Sequence, residues 1–194
     1  MHEWLALLQY ALWASFWAGV VCGVVGTYLV VRRMVFLGGG ISHAAFGGVG
    51  LAHFLGFPPL LGAALAALLA GWGISARDQR GGLRMDSAIG MIWSLGMAAG
   101  VLLIHMTPGY AADLMAYLFG DLLTVGPLHV HLLGGVALAV LVTVLFFFPL
   151  LRLMAHDGIF ARSRRIPVGL LQAWMTSLAA LTIVVCIRVV SIVL

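Results

Sequence analysis

The sequence predicts an all-α fold: a polytopic integral membrane bundle of about six transmembrane helices, with a short broken, re-entrant helix at 113–124 on the outer face. Three observations carry that prediction. The chain is 63% hydrophobic and only 8% charged, with a mean hydropathy of +1.15, more apolar surface than a soluble core absorbs. Apolar runs near 9–31, 38–57, 60–76, 86–106, 128–149 and 170–187 approach the roughly 20 residues that a crossing needs. Nine of the ten arginines lie between those runs.

Taken in order, each run has a boundary. The start, Met1-His-Glu-Trp, lacks the basic region of a signal peptide, so the first run is expected to stay as a span. Arg32-Arg33 ends it, Pro58-Pro59 separates the second run from the third, and Arg77–Arg84 follows the third. Thr107-Pro-Gly closes the fourth, and an arginine-bearing loop from Arg152 to Arg165 follows the fifth. If the three arginine loops are cytoplasmic, the positive-inside rule is met and the N-terminus lies outside. Asp113–Thr124 is then too short to span. It reads as a helix returning into the outer face, broken from the next span by Gly126-Pro127. The sixth run ends near Arg188, and Val189–Leu194 begins what looks like a further span.

The most unusual stretch is Leu37–His53, with six glycines and two histidines in an apolar run. On a helix, His43, Gly47 and Gly50 fall at i, i+4 and i+7, with Gly39 and Gly40 about one turn earlier. Small residues at such spacing admit a second helix at close range. An ionisable group in a span is costly unless it faces protein or water. His43 therefore either donates one hydrogen bond to a neighbouring helix or does chemistry on a path.

Other classes are closed by composition. The cationic residues are all arginine, and without lysine the chain has no Walker A loop of its own. No basic patch alternates with aromatics, so nucleic acid is not a partner. Cys22 and Cys186 each sit in an apolar run and read as small core residues.

Asp113-Leu-Met-Ala-Tyr-Leu-Phe-Gly-Asp-Leu-Leu-Thr-Val125, Arg84-Met-Asp-Ser-Ala-Ile-Gly-Met-Ile-Trp-Ser-Leu-Gly-Met97 and, more loosely, Arg32 to Gly50 together resemble the membrane permease subunits of bacterial ABC importers for zinc, manganese or iron(II). The look is closest to zinc-uptake permeases. The resemblance implies one transmembrane permease domain over 1–194, in a prokaryotic inner membrane. It also implies a second permease copy, a separate ATP-binding cassette subunit and an extracytoplasmic metal-binding protein. No catalysis and no resident cofactor are expected on this chain; zinc, manganese or iron(II) is cargo. Two departures stand out. Family members commonly carry an aspartate where this chain has Gly39, and they continue beyond the segment that here is Arg188-Val-Val-Ser191, so the chain reads as C-terminally truncated.

With that resemblance, His43 becomes the first candidate metal ligand. A transport site needs few ligands, since a closed four-ligand site retains its ion. His53 lies about 15 Å along the same helix and cannot share its ion; it is either a ligand at the outer mouth or an interfacial histidine. Asp113 either caps its helix or joins the path, and Asp121 faces the mouth, where a carboxylate draws divalent cations. His105, His129 and His131 form either a loose outer rim or interface residues. Inside, the loop 152–169 resembles the family's turn that meets the ATPase. Asp157, Ile159, Phe160 and Ala161 would dock, and Arg162, Arg164 and Arg165 would orient the loop or touch acidic lipid. The rival reading is a non-transporting membrane scaffold that keeps partner binding. An intramembrane hydrolase is disfavoured, because neither His-Glu-x-x-His nor a serine-nucleophile signature occurs.

Overall fold

A computed structural model describes residues 2–80, 85–107, 126–156, 158–164 and 166–190. All regular structure among the described residues is helical: α1 (His2–Val31), α2 (Leu37–Leu55), α3 (Pro59–Arg80), α4 (Met85–Met106), α5 (Pro127–His156), α6 (Gly158–Ser163) and α7 (Val168–Val190). Five of them are long and apolar enough to cross a membrane: α1, α3, α4, α5 and α7. The sixth long helix, α2, has 19 residues, but its glycines and two histidines dilute its hydropathy. Neighbouring helices cover most of it, leaving Leu51, Phe54 and Leu55 near its C-terminal end exposed. Eleven of its residues are buried, and it packs chiefly against α3 and α4.

Helix ends follow from local chemistry. α2 stops at Gly56, which adopts a left-handed φ of 75°. The N–H of Phe57 then reaches the Ala52 carbonyl at 2.8 Å and that of Gly56 reaches His53 at 3.2 Å, satisfying carbonyls that the helix leaves open. α1 ends with the same pattern, Met34 N–H to Leu29 at 2.8 Å and Arg33 N–H to Val30 at 3.0 Å. There the left-handed position is Arg33, with φ 56°, at a cost of about 1–2 kcal/mol for a residue with a Cβ. Prolines mark starts: Pro59 and Pro127 open α3 and α5, where their missing N–H has no partner to lose.

The fifth helix runs further than its apolar stretch. It continues through Pro149 to His156, so Arg152 sits on helix and the connection to the next span begins after His156, later than the 152 expected. The reason is packing: Leu151 and Met154 are buried in the core and hold the last turns in place. A proline removes one N–H from the ladder, which neighbouring helices tolerate in a bundle.

Two helix pairs flank the centre. α1 presents Ala14, Ala18, Val21 and Val25, at i, i+4, i+7 and i+11, toward Leu133, Ala137 and Val140 on α5. α7, the most buried of the five spanning candidates, touches α3, α5, α2 and α1. Polar contacts tie these layers. Trp72 Nε1 donates to Ser177 Oγ at 2.6 Å, and Trp174 Nε1 donates to Thr143 Oγ1 at 3.3 Å. Arg32 does more than mark orientation. Its guanidinium donates to the Met154 carbonyl at 3.1 Å and to Oε1 of the fully buried Gln172 at 3.0 Å. One side chain thus gathers the ends of α1 and α5 and the start of α7.

Candidate functional site

The site is built by glycine. Along α2, a Cβ at Gly47 would lie 2.8 Å from the Gly96 carbonyl oxygen, and one at Gly50 would lie 2.9 Å from that of Gly100. From the other side, a Cβ at Gly96 would fall 2.8 Å from Ala44 Cα. Backbone therefore meets backbone along the α2–α4 seam, as small-residue faces permit. The opposite seam repeats this against α3, where Gly48 and Gly62 face each other and a Cβ at Gly48 would lie 2.8 Å from the Gly62 carbonyl carbon. At Gly40 the neighbour is Ile89, 2.6 Å from a Cβ there. The groove beside His43 is occupied by α4 within one chain; it is not open.

His43 sits on this seam in the N-terminal half of α2, half-buried, stacked on Trp93 of α4 with ring centroids 4.5 Å apart and planes at 23°. Its Nδ1 is buried and has no hydrogen-bond partner among the described residues. Such an atom usually finds a partner, so one left open is a place for a ligand proton acceptor or an ion. Trp93 also covers Gly39: a Cβ at 39 would lie 2.9 Å from the indole Cη2. Where a side chain on residue 39 would stand beside His43, this chain places an indole.

That geometry makes a prediction. Gly39→Asp alone is expected to destabilise the protein by about 1–3 kcal/mol through overpacking. In the background of Trp93→Ala the same substitution is expected to cost less, with a coupling of about 1 kcal/mol or more. Thermal midpoints of the four proteins in detergent measure it, and strictly additive shifts would refute the contact.

The remaining candidates are dispersed. His53 lies in the last turn of α2, half-buried, ten residues from His43. His105 is exposed at the end of α4, and His131 makes a 2.6 Å ring-nitrogen contact with the Pro127 carbonyl in the first turn of α5. Among the described residues no three His, Cys, Asp or Glu side chains gather as a metal cluster. Asp113 and Asp121 lie outside the described residues, as do Asp157 and Arg165 and the side chains of Ile159 and Arg162. In α6, Ala161 is fully buried and Phe160 is 44% exposed, with the Arg164 guanidinium 5.2 Å from its ring centroid.

The sequence reading missed Trp93, Gly48, Gly62, Gly96 and Gly100. A signal existed for the last two, since Gly96-Met-Ala-Ala-Gly100 is a small-xxx-small face. Nor is Cys22 the core residue expected from its apolar run. Cys22 is exposed on α1, with its sulfur 3.8 Å from that of the buried Cys186, because α1 turns only one face to the bundle.

Fold and site together define a polytopic helical membrane protein whose central, glycine-packed helix carries an imidazole between two neighbours. Over residues 5–194 the chain matches the ABC 3 transport family. It belongs to that family. It is 36% identical over 191 residues to an uncharacterized membrane protein of Synechocystis sp., covering 96% of this chain and 66% of the relative. It is 33% identical over 187 residues to the manganese transport system membrane protein MntC of Halalkalibacterium halodurans, covering 96% and 64%. Among solved structures, PsaBC from Streptococcus pneumoniae in complex with Fab superposes with a TM-score of 0.77 at 31% identity, over 94% of this chain and 65% of that one. The chain spans about two thirds of the length of these relatives.

Proposed function

We propose that this chain is the membrane-spanning subunit of an ATP-driven importer of divalent transition-metal ions. In this reading it pairs with a second copy in a prokaryotic inner membrane, N-terminus outside. A cytoplasmic ATPase subunit supplies the energy, and an extracytoplasmic binding protein delivers the ion. The observation that carries the proposal is His43: a buried, unpartnered ring nitrogen on a helix packed between two neighbours, in a chain of this family. α4 supports the paired arrangement, since only 11% of its span is buried within one chain, and Ser94, Met97, Val101 and His105 line an open face beside Trp93. Asp113 and Asp121, with His53 at the end of α2, supply the further donors that this reading places along the path.

Nitrogen and oxygen donors suit manganese, zinc and iron(II) alike. The motifs look most like zinc permeases, whereas the Halalkalibacterium relative is named for manganese transport. Manganese and zinc are therefore the two cargoes to test side by side. Vesicles holding this chain and its ATPase are expected to accumulate one of them in an ATP-dependent manner. Intact ATPase binding without uptake would select the scaffold reading instead.

This reading puts the contact with the ATPase on α6. Phe160 projects outward while Ala161 anchors the helix. Phe160→Ala is expected to reduce co-purification of the ATPase subunit at least about tenfold, the loss of one aromatic anchor. The thermal midpoint of the permease should stay within error, because the side chain is exposed. Unchanged co-purification would remove α6 from the interface.

A further inference from the structure

Away from the α2–α4 seam, a cavity of about 180 Å³ lies where α1, α2 and α7 meet, lined by Cys22, Ser42, Thr182 and Cys186 among apolar neighbours. Two features set it apart. The thiols, 164 residues apart in sequence, stand with their sulfurs at 3.8 Å. The Thr182 hydroxyl is 2% exposed and has no hydrogen-bond partner among the described residues. Hydroxyls inside membrane helices commonly bond back to the carbonyl four residues earlier. In this chain Thr27, Ser42, Ser94, Thr107, Thr176 and Ser177 all do so, and Thr182 does not. A hydroxyl left open there is unfavourable unless something meets it.

We propose that this cavity is a binding site for a thiophilic divalent d10 cation of the zinc or cadmium type, held by Cys22 and Cys186, with the oxygen of Thr182 beside it. The sulfur spacing fits. Two thiolates at roughly 2.3 Å from a tetrahedral ion stand about 3.8 Å apart. Thr182 and Cys186 are at i and i+4 on one face of α7, so hydroxyl and thiol present themselves together, and Cys22 supplies the second sulfur from α1. Charge fits as well. Binding releases both thiol protons to water, and two thiolates around a dication leave a neutral complex, the form that a low-dielectric interior accepts at least cost. No oxidation state changes. Manganese, which prefers oxygen donors, is refused by two sulfurs. Ser42 and His43 are adjacent on α2 but about 100° apart around its axis, so this site lies off the seam that carries His43. An ion here would bridge α1 to α7, two helices that otherwise share a modest contact.

The test is a titration of the tag-free, reduced full chain in lipid nanodiscs with cadmium chloride. Expected is a thiolate-to-cadmium charge-transfer absorption that saturates at one ion per chain, with release of two protons. It should vanish in Cys22→Ser and in Cys186→Ser, weaken about tenfold in affinity in Thr182→Val, and persist in His43→Ala. No band in the wild type, or a band surviving either serine variant, overturns the proposal. If a serine variant fails to fold, the wild type alone decides: cadmium should slow maleimide labelling of both cysteines, and unchanged labelling rejects the site.

Discussion

Gly48→Val is expected to abolish the folded bundle. A Cβ at residue 48 would run into the Gly62 carbonyl and come within 2.5 Å of the Ala66 Cβ, and the branched methyls of valine extend further into α3. Neither obstacle is the flexible end of a side chain. The two helices would have to part along a seam that buries much of α2. Overpacking a well-packed interior costs about 1–3 kcal/mol; a clash of backbone on backbone belongs above that range. Recovery of monodisperse protein from detergent and its thermal midpoint provide the readout. The control is Gly90→Ala on α4, where a Cβ meets nothing within 4 Å. That change should be neutral or stabilise by up to about 1 kcal/mol from helix propensity alone. Wild-type stability in Gly48→Val would show that the glycine seams do not hold α2.

His43→Ala is expected to lower ATP-driven metal uptake at least about tenfold while leaving the fold in place. The seam partners of α2 are glycines and backbone, so α2 keeps its position when the imidazole goes. What is lost is a ring nitrogen that the protein holds open and orients by the Trp93 stack. Removing one ligand from a site that must bind weakly enough to release leaves little affinity behind, and a tenfold effect corresponds to about 1.4 kcal/mol. His43→Gln, which keeps bulk and polarity, is expected to keep the thermal midpoint and to recover only a small part of the uptake.

The helical class and the boundaries of most helices were legible because arginines, prolines and glycines punctuate apolar runs, and those signals act locally. The end of α5 was not. The apolar run ends at 149 and Arg152 follows, and only the burial of Leu151 and Met154 against other helices shows why the helix continues. The glycine-rich character of α2 was visible in sequence, whereas what fills its grooves was not: spacing says that a helix can approach, and the tertiary fold decides that α4 and α3 do. Trp93 was hidden for the same reason, since nothing along the chain links it to Gly39 and His43. Arg32 illustrates the reverse case, where a residue assigned to membrane orientation by its charge turns out to join three helix ends through Met154 and Gln172. The Cys22–Cys186 pairing likewise depends on α1 and α7 meeting, which no periodicity reveals.

The central claim is that His43 lies on the path of the ion. The most direct test is the initial rate of ATP-dependent manganese and zinc uptake into vesicles containing this chain with its ATPase, wild type against His43→Ala at equal incorporation. The account predicts that the wild type accumulates at least one of the two metals and that the alanine variant falls at least about tenfold. Equal rates in the two proteins would contradict it.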